Sequence, residues 1–539
     1  MTIYLLDYGA GNVRSLANAV HHIGYDFEWV KDPSDISKAE KLIFPGVGAF
    51  AKAMDALTDK GYVPALRDYI ASGKPYMGIC VGMQTLFESS EESPATPGLG
   101  ILPGCVKRLS NVNKSVPHMG WNTCKVMQRE SYAVTPDRAF YFVHSYAVPS
   151  SGADWELGRT KYGDEEFVSA VRWGNVFCTQ FHPEKSGFAG LRVLRAFLRG
   201  DAFASEINTG LELHKKQLGL TKRIIACLDV RANDQGDLVV TKGDQYDVRE
   251  KTGDGEVRNL GKPVELAKRY FDEGADEIAF LNITSFRECP LRDMPMLEVL
   301  RQASKEVFVP LTIGGGIRDV IDPDGTKHPA LEVAAEYFRS GADKVSIGSD
   351  AVYAAEEYWN RGGKPTGDTA IESIASAYGS QAVVISVDPK RVYVKDPNET
   401  QHHCIKTELP GPNGEAYCWY QCTVKGGRES RDFDVRQLVT ACEALGAGEI
   451  LLNCMDRDGT NSGFDIELIR DVKAAVRIPV VASSGAGKVE HFSECFDQTD
   501  TEAALAAGIF HRREVPIEAV KAHLANKRTP VRAVDACLD

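Results

Sequence analysis

The chain from residue 222 onward alternates short apolar runs with longer segments of helical periodicity. Each run is only three to five residues long, which is typical of a strand buried on both faces of a sheet. Strands that alternate with helices in this way indicate a parallel sheet. The eight runs lie at residues 224–228, 278–281, 307–309, 345–347, 382–385, 450–452, 480–482 and 503–505. Eight such units predict a (β/α)8 TIM barrel.

An internal repeat divides this barrel into two halves of four strands. The matched positions lie 159 to 171 residues apart and are Asp229 with Asp388, Asn282 with Asn453, Pro310 with Pro479, and Gly348 with Gly508. The carboxylates, and Gly/Ser clusters after the third, fourth, seventh and eighth runs, fall at the C-terminal ends of strands, where barrel enzymes place their sites. Gly-rich turns that enter helices bind phosphate. The repeat therefore predicts two phosphate sites with a carboxylate from each half between them, and an elongated bisphosphate as substrate.

The first 200 residues have a separate organisation. They begin with a strand at residues 1–7 and finish with a helix at 191–199. The following stretch is mixed polar and helical, with Asn208 and Gly210 inside it, which indicates a tether. We expect a first domain at residues 1–202, a linker at 203–221, and the barrel at 222–539.

Composition excludes several classes of protein. With 539 residues the chain is too long for one ordinary domain, and 43% hydrophobic with 25% charged residues is typical of globular proteins. A formal charge of −13 opposes unspecific attraction to nucleic acid or to an anionic membrane. There is no basic leader and no apolar run of membrane-spanning length, and the odd number of cysteines, 13, fits a reducing compartment. We therefore expect a cytoplasmic protein.

A candidate nucleophile follows an apolar strand of the first domain. Gly78 and Gly82 flank Cys80, and small residues on both sides allow a sharp turn from strand to helix. The sulfur then lies at a helix N-terminus, where thiolate is favoured. His182 and Glu184 lie two residues apart across a proline that favours extended backbone, so their side chains face the same way. A base oriented by a carboxylate completes the logic of a Cys-His-Glu triad.

A cysteine after an apolar strand is most often a small buried hydrophobe. For Cys80 the flanking glycines and the downstream His-Pro-Glu favour the nucleophile instead. A second turn, Pro-Gly-Val-Gly, follows the apolar run 42–44. Gly46 and Val47 in this turn are expected to present backbone N–H groups, with that of Val81, to an oxyanion.

Together these motifs resemble the class I glutamine amidotransferases, in which a cysteine attacks the side-chain amide of glutamine and ammonia leaves. The segments 7–12, 117–122 and 144–146 narrow the resemblance to the glutaminase part of the imidazole glycerol phosphate synthase family. The resemblance implies a flavodoxin-like α/β fold for this domain. It also implies a glutamine site that includes Gln84, His144, Ser145 and Tyr146.

The barrel resembles the cyclase of the same family over nearly all of residues 222–535. The segments 314–317, 456–460 and 483–488 carry this resemblance in combination. The fused order, with insertions near 353–367 and 392–424, is similar to the bifunctional fungal or plant enzymes. The resemblance implies that ammonia reacts with phosphoribulosyl-formimino-aminoimidazole-carboxamide ribonucleotide, giving imidazole glycerol phosphate for histidine biosynthesis and aminoimidazole-carboxamide ribonucleotide for purine synthesis.

The cyclase reaction requires proton transfers on two sides of its substrate, which suits two carboxylates on opposing strands. We expect Asp229 and Asp388 to be the acid–base pair, with the two roles unassigned between them. Lys242 is a candidate substrate clamp, with a solvated lysine as the alternative. Asn282 stands where separate bacterial cyclase subunits commonly have Asp, which leaves a charge role there in doubt. The remaining expected substrate contacts are Gly315, Gly316, Ser349, Asn453, Asp458, Gly459, Ser484, Gly485 and Gly508.

Four barrel strands are expected to begin with a charge: Arg223 on the first, Glu277 on the second, Lys344 on the fourth and Glu449 on the sixth. Two positive and two negative side chains around one rim predict a ring of salt bridges. The resemblance places the entrance of an ammonia tunnel there, so the ring is a candidate gate. The alternative is that charges at strand starts serve stability, as residues on this barrel face usually do.

Two other functions deserve comparison. Pyridoxal phosphate synthase also couples a class I glutaminase to a barrel, but it needs strand lysines for imines, and here the first and fifth strands end in Asp. A glutamine sensor or scaffold with inactive sites is opposed by the complete triad.

A short stretch has the composition of a zinc cluster: His402, His403, Cys404, Cys418 and Cys422. Cysteines four residues apart on a strand are, however, too far apart to share one metal. We expect no metal, no cofactor and no obligate protein partner, since both activities lie in one chain.

Overall fold

The first domain is a mixed sheet covered by helices. The computed structural model describes residues 1–9, 11–203, 219–233, 237–241, 259–283, 291 and 294–534. The strands of this domain are β1 (Ile3–Leu6), β2 (Glu28–Val30), β3 (Lys41–Phe44), β4 (Tyr76–Ile79), β5 (Ser89–Ser90), β6 (Cys105–Arg108), β7 (His118–Thr123), β8 (Lys125–Val126), β9 (Ala139–His144), β10 (Tyr146–Ala147), β11 (Glu156–Tyr162), β12 (Glu165–Trp173) and β13 (Val176–Thr179). The helices are α1 (Val13–His22), α2 (Pro33–Lys38), α3 (Phe50–Asp59), α4 (Tyr62–Ala71), α5 (Val81–Gln84) and α6 (Gly187–Arg199).

The sheet runs in the order β2-β1-β3-β4-β13-β12-β11-β8. The strands from β2 to β13 are parallel, and the pairings beyond β13 are antiparallel. Every residue of β1, β3, β4 and β13 is buried, as expected where helices cover both faces of a parallel sheet. The α/β fold expected for the first domain is confirmed, and the candidate nucleophile follows a central strand.

The second domain contains the predicted alternation of strands and helices. Its strands are β14 (Arg223–Ala232), β15 (Leu238–Val240), β16 (Glu277–Asn282), β17 (Leu311–Gly314), β18 (Val320–Ile321), β19 (Lys327–His328), β20 (Lys344–Ile347), β21 (Val383–Val387), β22 (Pro389–Val394), β23 (Ile405–Lys406), β24 (Tyr417–Val424), β25 (Glu429–Asp434), β26 (Glu449–Asn453), β27 (Val480–Ser483) and β28 (Ala503–Ala506). Its helices are α7 (Pro263–Asp272), α8 (Pro295–Ala303), α9 (Ala330–Ser340), α10 (Ser349–Asn360), α11 (Ala370–Tyr378), α12 (Val435–Ala444), α13 (Ile466–Ala475), α14 (Val489–Thr499), α15 (Gly508–His511) and α16 (Ile517–Asn526).

Eight parallel strands close into a barrel, in the order β14-β16-β17-β20-β21-β26-β27-β28, because β28 also pairs with β14. The (β/α)8 prediction is therefore confirmed. Apolar side chains form a separate cluster distinct from the core beneath the helices: Ile225, Cys227, Ala279, Val384, Leu451, Val481, Ala503 and Leu505. Their placement on every other residue of the strands shows that this cluster faces the barrel interior. Within the described part of the chain, no helix has the length and apolarity needed to cross a membrane.

The prediction of the third strand was wrong in position. Residues 307–309 were expected to form it, but the strand is β17, which begins after Pro310. The earlier residues are buried irregular chain that packs on the first domain, where the carbonyl of Phe308 accepts the Gly187 N–H at 2.8 Å and its ring lies 4.6 Å from that of His22. Burial at a domain junction therefore produced the same apolar pattern as a strand.

The insertion near 392–424 is a small antiparallel sheet of β22, β23, β24 and β25. Arg391 joins it to the barrel, because the guanidinium donates to Asp465 at 2.7 and 3.0 Å and to Glu467 at 2.8 Å. The histidines of the zinc-like cluster are engaged by carboxylates: His402 lies 2.7 Å from Asp432 and His403 lies 2.9 Å from Asp471. Among the described residues no three metal-binding side chains converge.

The first domain contacts the N-terminal end of the barrel strands. Asn12 donates to the carbonyl of Gly341 and to Asp343, each at 2.9 Å, and Lys185 pairs with Asp343 at 2.8 Å. Most of the predicted linker lies outside the described residues. At its end, the Thr221 N–H still donates to the first domain. The boundaries at 202 and 222 stay predictions.

We predict that Arg391→Ala destabilises the barrel domain by about 3–5 kcal/mol, because removing one partner of a buried network leaves the other charges unpaired. Burial raises the pKa of Asp465, but hydrogen bonds and charge from Arg391 outweigh burial and hold that pKa below its ordinary value. A depressed pKa adds stability above the pKa of the unfolded carboxyl, and this stability is lost as pH falls through the folded pKa. Thermal unfolding across acid pH measures both effects.

The matched control is Arg431→Ala, which removes a partly exposed arginine paired with Glu356 in the same sheet. This control is expected to leave the unfolding temperature nearly unchanged, since exposed pairs contribute little. Equal losses of stability in the two variants would contradict the proposed role of Arg391. A wild-type dependence of the unfolding temperature on acid pH in Arg391→Ala would also contradict it.

Candidate active sites and the connection between them

Cys80 lies in a strained turn between β4 and α5. Its backbone has φ 51° and ψ −107°, a conformation that costs energy for a residue with a side chain. The flanking glycines are required by space, since a Cβ on Gly82 would lie 2.1 Å from the carbonyl oxygen of Phe44 and one on Gly78 would lie 2.5 Å from that of Gly82. The sharp strand-to-helix turn predicted from the sequence is present, and it fixes the position of the thiol.

The predicted base and orienter are in contact. His182 is the residue before a 3₁₀ turn, Pro183–Lys185, and has the extended backbone expected before proline. Its Nδ1 lies 2.8 Å from Oε1 of Glu184. Burial lowers the pKa of His182, but the charges of Glu184 and Cys80 outweigh burial and raise that pKa to about 10. The contact with the Glu184 carboxylate therefore favours the protonated form of the His182 imidazole.

Gln180 is a site residue that the sequence reasoning missed. Its Nε2 donates to the Cys80 sulfur at 3.4 Å, and its Oε1 accepts from Nε2 of Gln84 at 3.0 Å. Gln84 also donates to the carbonyl of Tyr146 at 2.9 Å. The available signal was the Thr-Gln-Phe-His order at the end of β13, which places Gln180 two residues before the base.

His144 is buried and belongs to a hydrogen-bonded chain. Its Nδ1 donates to the carbonyl of Tyr146 at 2.9 Å, so its Nε2 accepts from Nδ1 of His118 at 3.1 Å. Burial lowers the pKa of His144 to about 3, and the ring is therefore neutral at physiological pH. The carbonyl of Ser145 accepts the N–H of Leu109 at 2.9 Å. His144 and Ser145 thus support the segment that holds Gln84.

The predicted oxyanion donors are not both free in this conformation. The N–H of Val81 donates to the carbonyl of Gly46 at 3.4 Å. The next carbonyl, of Val47, accepts the hydroxyl of Tyr8 at 2.8 Å. The Gly46–Val47 peptide therefore presents its oxygen, rather than its N–H, to the N-terminus of α5. An oxyanion can occupy this position only after that peptide rotates.

The four predicted rim charges form a closed ring. Arg223 donates to Glu277 at 2.8 Å and also to Glu449, while Lys344 lies 2.6 Å from each glutamate. All four residues are buried and each is the first residue of its strand. Burial raises the pKa of Glu277, but Lys344 and Arg223 outweigh burial and hold that pKa below its ordinary value. The ring is therefore charged, and it closes the N-terminal end of the barrel axis.

A small cavity lies at the junction of the two domains. Its lining includes His182 of the triad, Val47 of the oxyanion turn, Tyr141, Asp343 and Lys344 of the ring. The cavity thus begins at the glutaminase site and ends at the ring.

Asp229 and Asp388 lie at the opposite, C-terminal end of the barrel strands, as predicted. Asp388 lies directly after β21, and its Oδ1 accepts Nδ2 of Asn453 at 3.1 Å. Burial raises the pKa of Asp388, the hydrogen bond from Asn453 lowers it, and the charge of Asp458 raises it, with a net rise. Asp229 lies within β14, where the Thr241 N–H donates to its carbonyl at 2.8 Å. A raised pKa suits proton exchange near neutrality.

The other predicted substrate residues lie around the same end of the barrel. Gly315, Gly316, Gly459, Ser484 and Gly485 all have positive φ, a backbone conformation that is common in turns that bind anions through N–H groups. Ser349 and Gly508 are the first residues of α10 and α15. Ser484 donates to Asp458 at 3.4 Å. Lys242 lies outside the described residues.

Comparison with known proteins agrees with the division of the chain into two domains. Residues 4–199 match the family described as glutamine amidotransferase class-I, and residues 223–516 match the histidine biosynthesis protein family. The chain therefore joins a glutamine amidotransferase to a histidine-biosynthesis barrel. It is 62% identical over 533 residues to imidazole glycerol phosphate synthase hisHF of Schizosaccharomyces pombe, covering 97% of this chain and 98% of the relative.

Two further relatives carry the same description. The Emericella nidulans protein is 59% identical, with 98% of this chain and 99% of the relative covered, and the chloroplastic Arabidopsis thaliana protein is 57% identical, with 98% and 89% covered. The chain belongs to the imidazole glycerol phosphate synthase family. It is a bifunctional enzyme of histidine biosynthesis that combines a glutamine amidotransferase with a cyclase.

Proposed function

We propose that the chain hydrolyses glutamine at Cys80, passes ammonia through the barrel axis, and uses it at Asp229 and Asp388. The barrel substrate is phosphoribulosyl-formimino-aminoimidazole-carboxamide ribonucleotide, and the products are imidazole glycerol phosphate and aminoimidazole-carboxamide ribonucleotide. The observation that supports this proposal most strongly is the cavity lined by both His182 and Lys344. It joins the triad to the ring on the barrel axis.

In the glutaminase step, His182 accepts the thiol proton of Cys80 as the sulfur attacks the side-chain carbonyl of glutamine. His182 donates a proton to the departing amide nitrogen, so that ammonia leaves, and then accepts a proton from the water that hydrolyses the thioester. Glu184 holds the imidazole and stabilises its charge. Rotation of the Gly46–Val47 peptide frees Val81 N–H and turns Val47 N–H toward the oxyanion.

Ammonia transfer follows from the placement of the ring. Ammonia that escapes to solvent becomes ammonium, which lacks the lone pair for attack. Beyond the ring the barrel interior is lined by apolar residues such as Ile225 and Leu451, which favour the neutral form. Lys344 also approaches the Met119 sulfur of the first domain at 3.5 Å, so displacement of this side chain opens the ring beside the junction.

In the cyclase step, the two phosphates bind at the turns around the C-terminal end of the barrel, and Asp229 and Asp388 exchange protons with the reacting centre between them. The pyridoxal phosphate alternative requires a strand lysine free to form an imine, whereas Lys344 is held by Glu277 and Glu449. The remaining proposals are a cytoplasmic location, small-molecule substrates and no cofactor. A further proposal, that no obligate protein partner is needed, is supported by the fusion of both domains in one chain.

We predict that Cys80→Ala abolishes glutamine-dependent synthesis of imidazole glycerol phosphate. Synthesis with ammonium salt at high pH is expected to continue, because only the release of ammonia from glutamine needs the thiol. The assay follows both nitrogen sources with the same bisphosphate substrate. Loss of both activities in a folded variant would contradict separate sites, and retained glutamine-dependent activity would exclude Cys80 as nucleophile.

We predict that Asp229→Asn and Asp388→Asn each lower cyclase turnover about 10²-fold or more with either nitrogen source, since an amide keeps the shape but cannot exchange the proton. Binding of the substrate is expected to persist through its phosphates, as measured by its KM or by direct titration. Near-normal turnover in both variants would overturn the two-carboxylate proposal.

We predict that Lys344→Ala uncouples the two reactions, so that more than one glutamate is released for each imidazole glycerol phosphate formed. Ammonium-dependent turnover is expected to change little, because the cyclase site lies at the other end of the barrel. The measurement is the ratio of the two products. An unchanged one-to-one ratio in this variant and in substitutions of Arg223, Glu277 and Glu449 would exclude the gate.

The matched control for this experiment is Lys521→Ala. Lys521 is also a buried lysine and pairs with Asp276 at 2.6 Å, but it lies on α16 and outside the ring. Both substitutions remove one of two cations that neutralise buried carboxylate, since Arg532 still pairs with Asp276 and Arg223 still pairs with both ring glutamates, and we expect similar losses of stability in the two variants. Only the ring variant is expected to change the product ratio.

A further inference from the structure

The inserted sheet touches the main chain of the cyclase carboxylate. Thr423, near the end of β24, is 5% exposed. Its hydroxyl donates to the carbonyl oxygen of Asp388 at 2.6 Å. The neighbouring sulfur of Met455 lies 3.6 Å from the same hydroxyl, but the single hydroxyl hydrogen is directed to the shorter partner. Thr423 thus holds the backbone of the residue that carries the carboxylate.

The sequence around Asp388 makes this hydrogen bond important. The next residue is Pro389, which has no N–H, so the carbonyl is the only hydrogen-bonding group of the Asp388–Pro389 peptide. The carboxylate itself is held by Asn453 at 3.1 Å. One hydrogen bond therefore holds the side chain and another holds the main chain, and both must be present to fix the carboxylate in position and direction.

The other half of the barrel uses the same arrangement with a different donor. The carbonyl of Asp229 accepts the main-chain N–H of Thr241, at the end of β15, at 2.8 Å. Both carboxylate residues are thus anchored through their carbonyls by a strand that folds back over the C-terminal end of the barrel. In the first half the donor belongs to the backbone, whereas in the second half it is a side chain that substitution can remove.

The chain beyond Thr423 also reaches a predicted phosphate residue. The N–H of Lys425 donates to Oγ of Ser349 at 2.9 Å. Because that oxygen accepts a hydrogen bond, the hydroxyl hydrogen of Ser349 is left to donate to another acceptor, such as a phosphate oxygen. The segment from 423 to 425 therefore connects the carboxylate after β21 to the first turn of α10.

We propose that Thr423 is a positioning residue for the cyclase reaction, acting through the carbonyl of Asp388. This inference rests on the proposed role of Asp388. Loss of the Thr423 hydroxyl leaves the Asp388 carbonyl without its hydrogen-bond donor. The Asp388–Pro389 peptide plane can then rotate. The carboxylate then approaches the reacting centre in a wrong direction, while the phosphate contacts that bind the substrate stay in place.

The test uses the full-length enzyme with ammonium salt as nitrogen source, so that the glutaminase does not limit the rate. In Thr423→Val, which has the same shape and no hydroxyl, kcat is expected to fall about tenfold to a hundredfold with little change in KM, as misplacement of a reacting group does. The pH dependence of kcat is expected to move to higher pH, because the carbonyl dipole beside the carboxylate loses its compensating donor.

Thr423→Ser restores the donor and is expected to return kcat to within about twofold of wild type. Thr423→Ala gives a second variant without the donor and is expected to match Thr423→Val. The control is Thr440→Val on α12, which removes another hydroxyl–carbonyl hydrogen bond of 2.6 Å, to Arg436, outside the site. This control is expected to keep wild-type kcat.

Wild-type kcat in Thr423→Val or Thr423→Ala, a loss carried by KM alone, or equal losses in the Ser and Val variants would overturn the proposal. If Thr423→Val does not fold, the comparison of Thr423→Ser with Thr423→Ala decides by the same criteria. The role of Asp388 is tested separately. An active Asp388→Asn variant would exclude the proposed role of Asp388. An inactive Asp388→Asn variant, together with wild-type kcat in Thr423→Val, would exclude only the role of Thr423.

Discussion

A buried ring of ion pairs constrains the whole molecule. Four charges placed inside a protein are tolerated only when each is fully paired, so the first residues of β14, β16, β20 and β26 must lie at one level around the barrel axis. Apolar residues fill barrel interiors without this desolvation cost. The ring lies between the junction cavity and the apolar axis, and this location supports the proposed gate.

The two ends of the barrel have different tasks. At the N-terminal end, Asn12 and Lys185 fix the first domain over the ring through Asp343. At the C-terminal end, the returning strands anchor the two carboxylate residues, and the inserted sheet supplies this anchor in the second half. The sequence repeat thus places a carboxylate residue at the matching position of each half, while the insertion adds contacts that the first half obtains from its own main chain. Coupling between the ends must pass along the axis or through the barrel strands.

Much of the fold and site was predictable because each signal was local. The apolar runs gave seven barrel strands in place, the glycines around Cys80 gave its turn, and charged strand starts gave the ring. The third strand was misplaced because residues 307–309 are buried against the other domain, which periodicity cannot distinguish from a strand. Gln180 and Thr423 were missed because their roles depend on contacts across 100 and 35 residues of sequence. The orientation of the Gly46–Val47 peptide is a conformational state that no residue pattern encodes.

Internal transfer of ammonia from Cys80 to the barrel can be measured by isotope competition. The wild-type enzyme is supplied with glutamine labelled with nitrogen-15 in the amide, together with unlabelled ammonium at neutral pH. The ammonium concentration is chosen so that free unlabelled ammonia in solution exceeds the labelled ammonia released from glutamine. We expect imidazole glycerol phosphate that carries the label almost completely, because ammonia from Cys80 is proposed to reach the barrel without mixing with solvent. A label diluted to the composition of the bulk ammonia would contradict it.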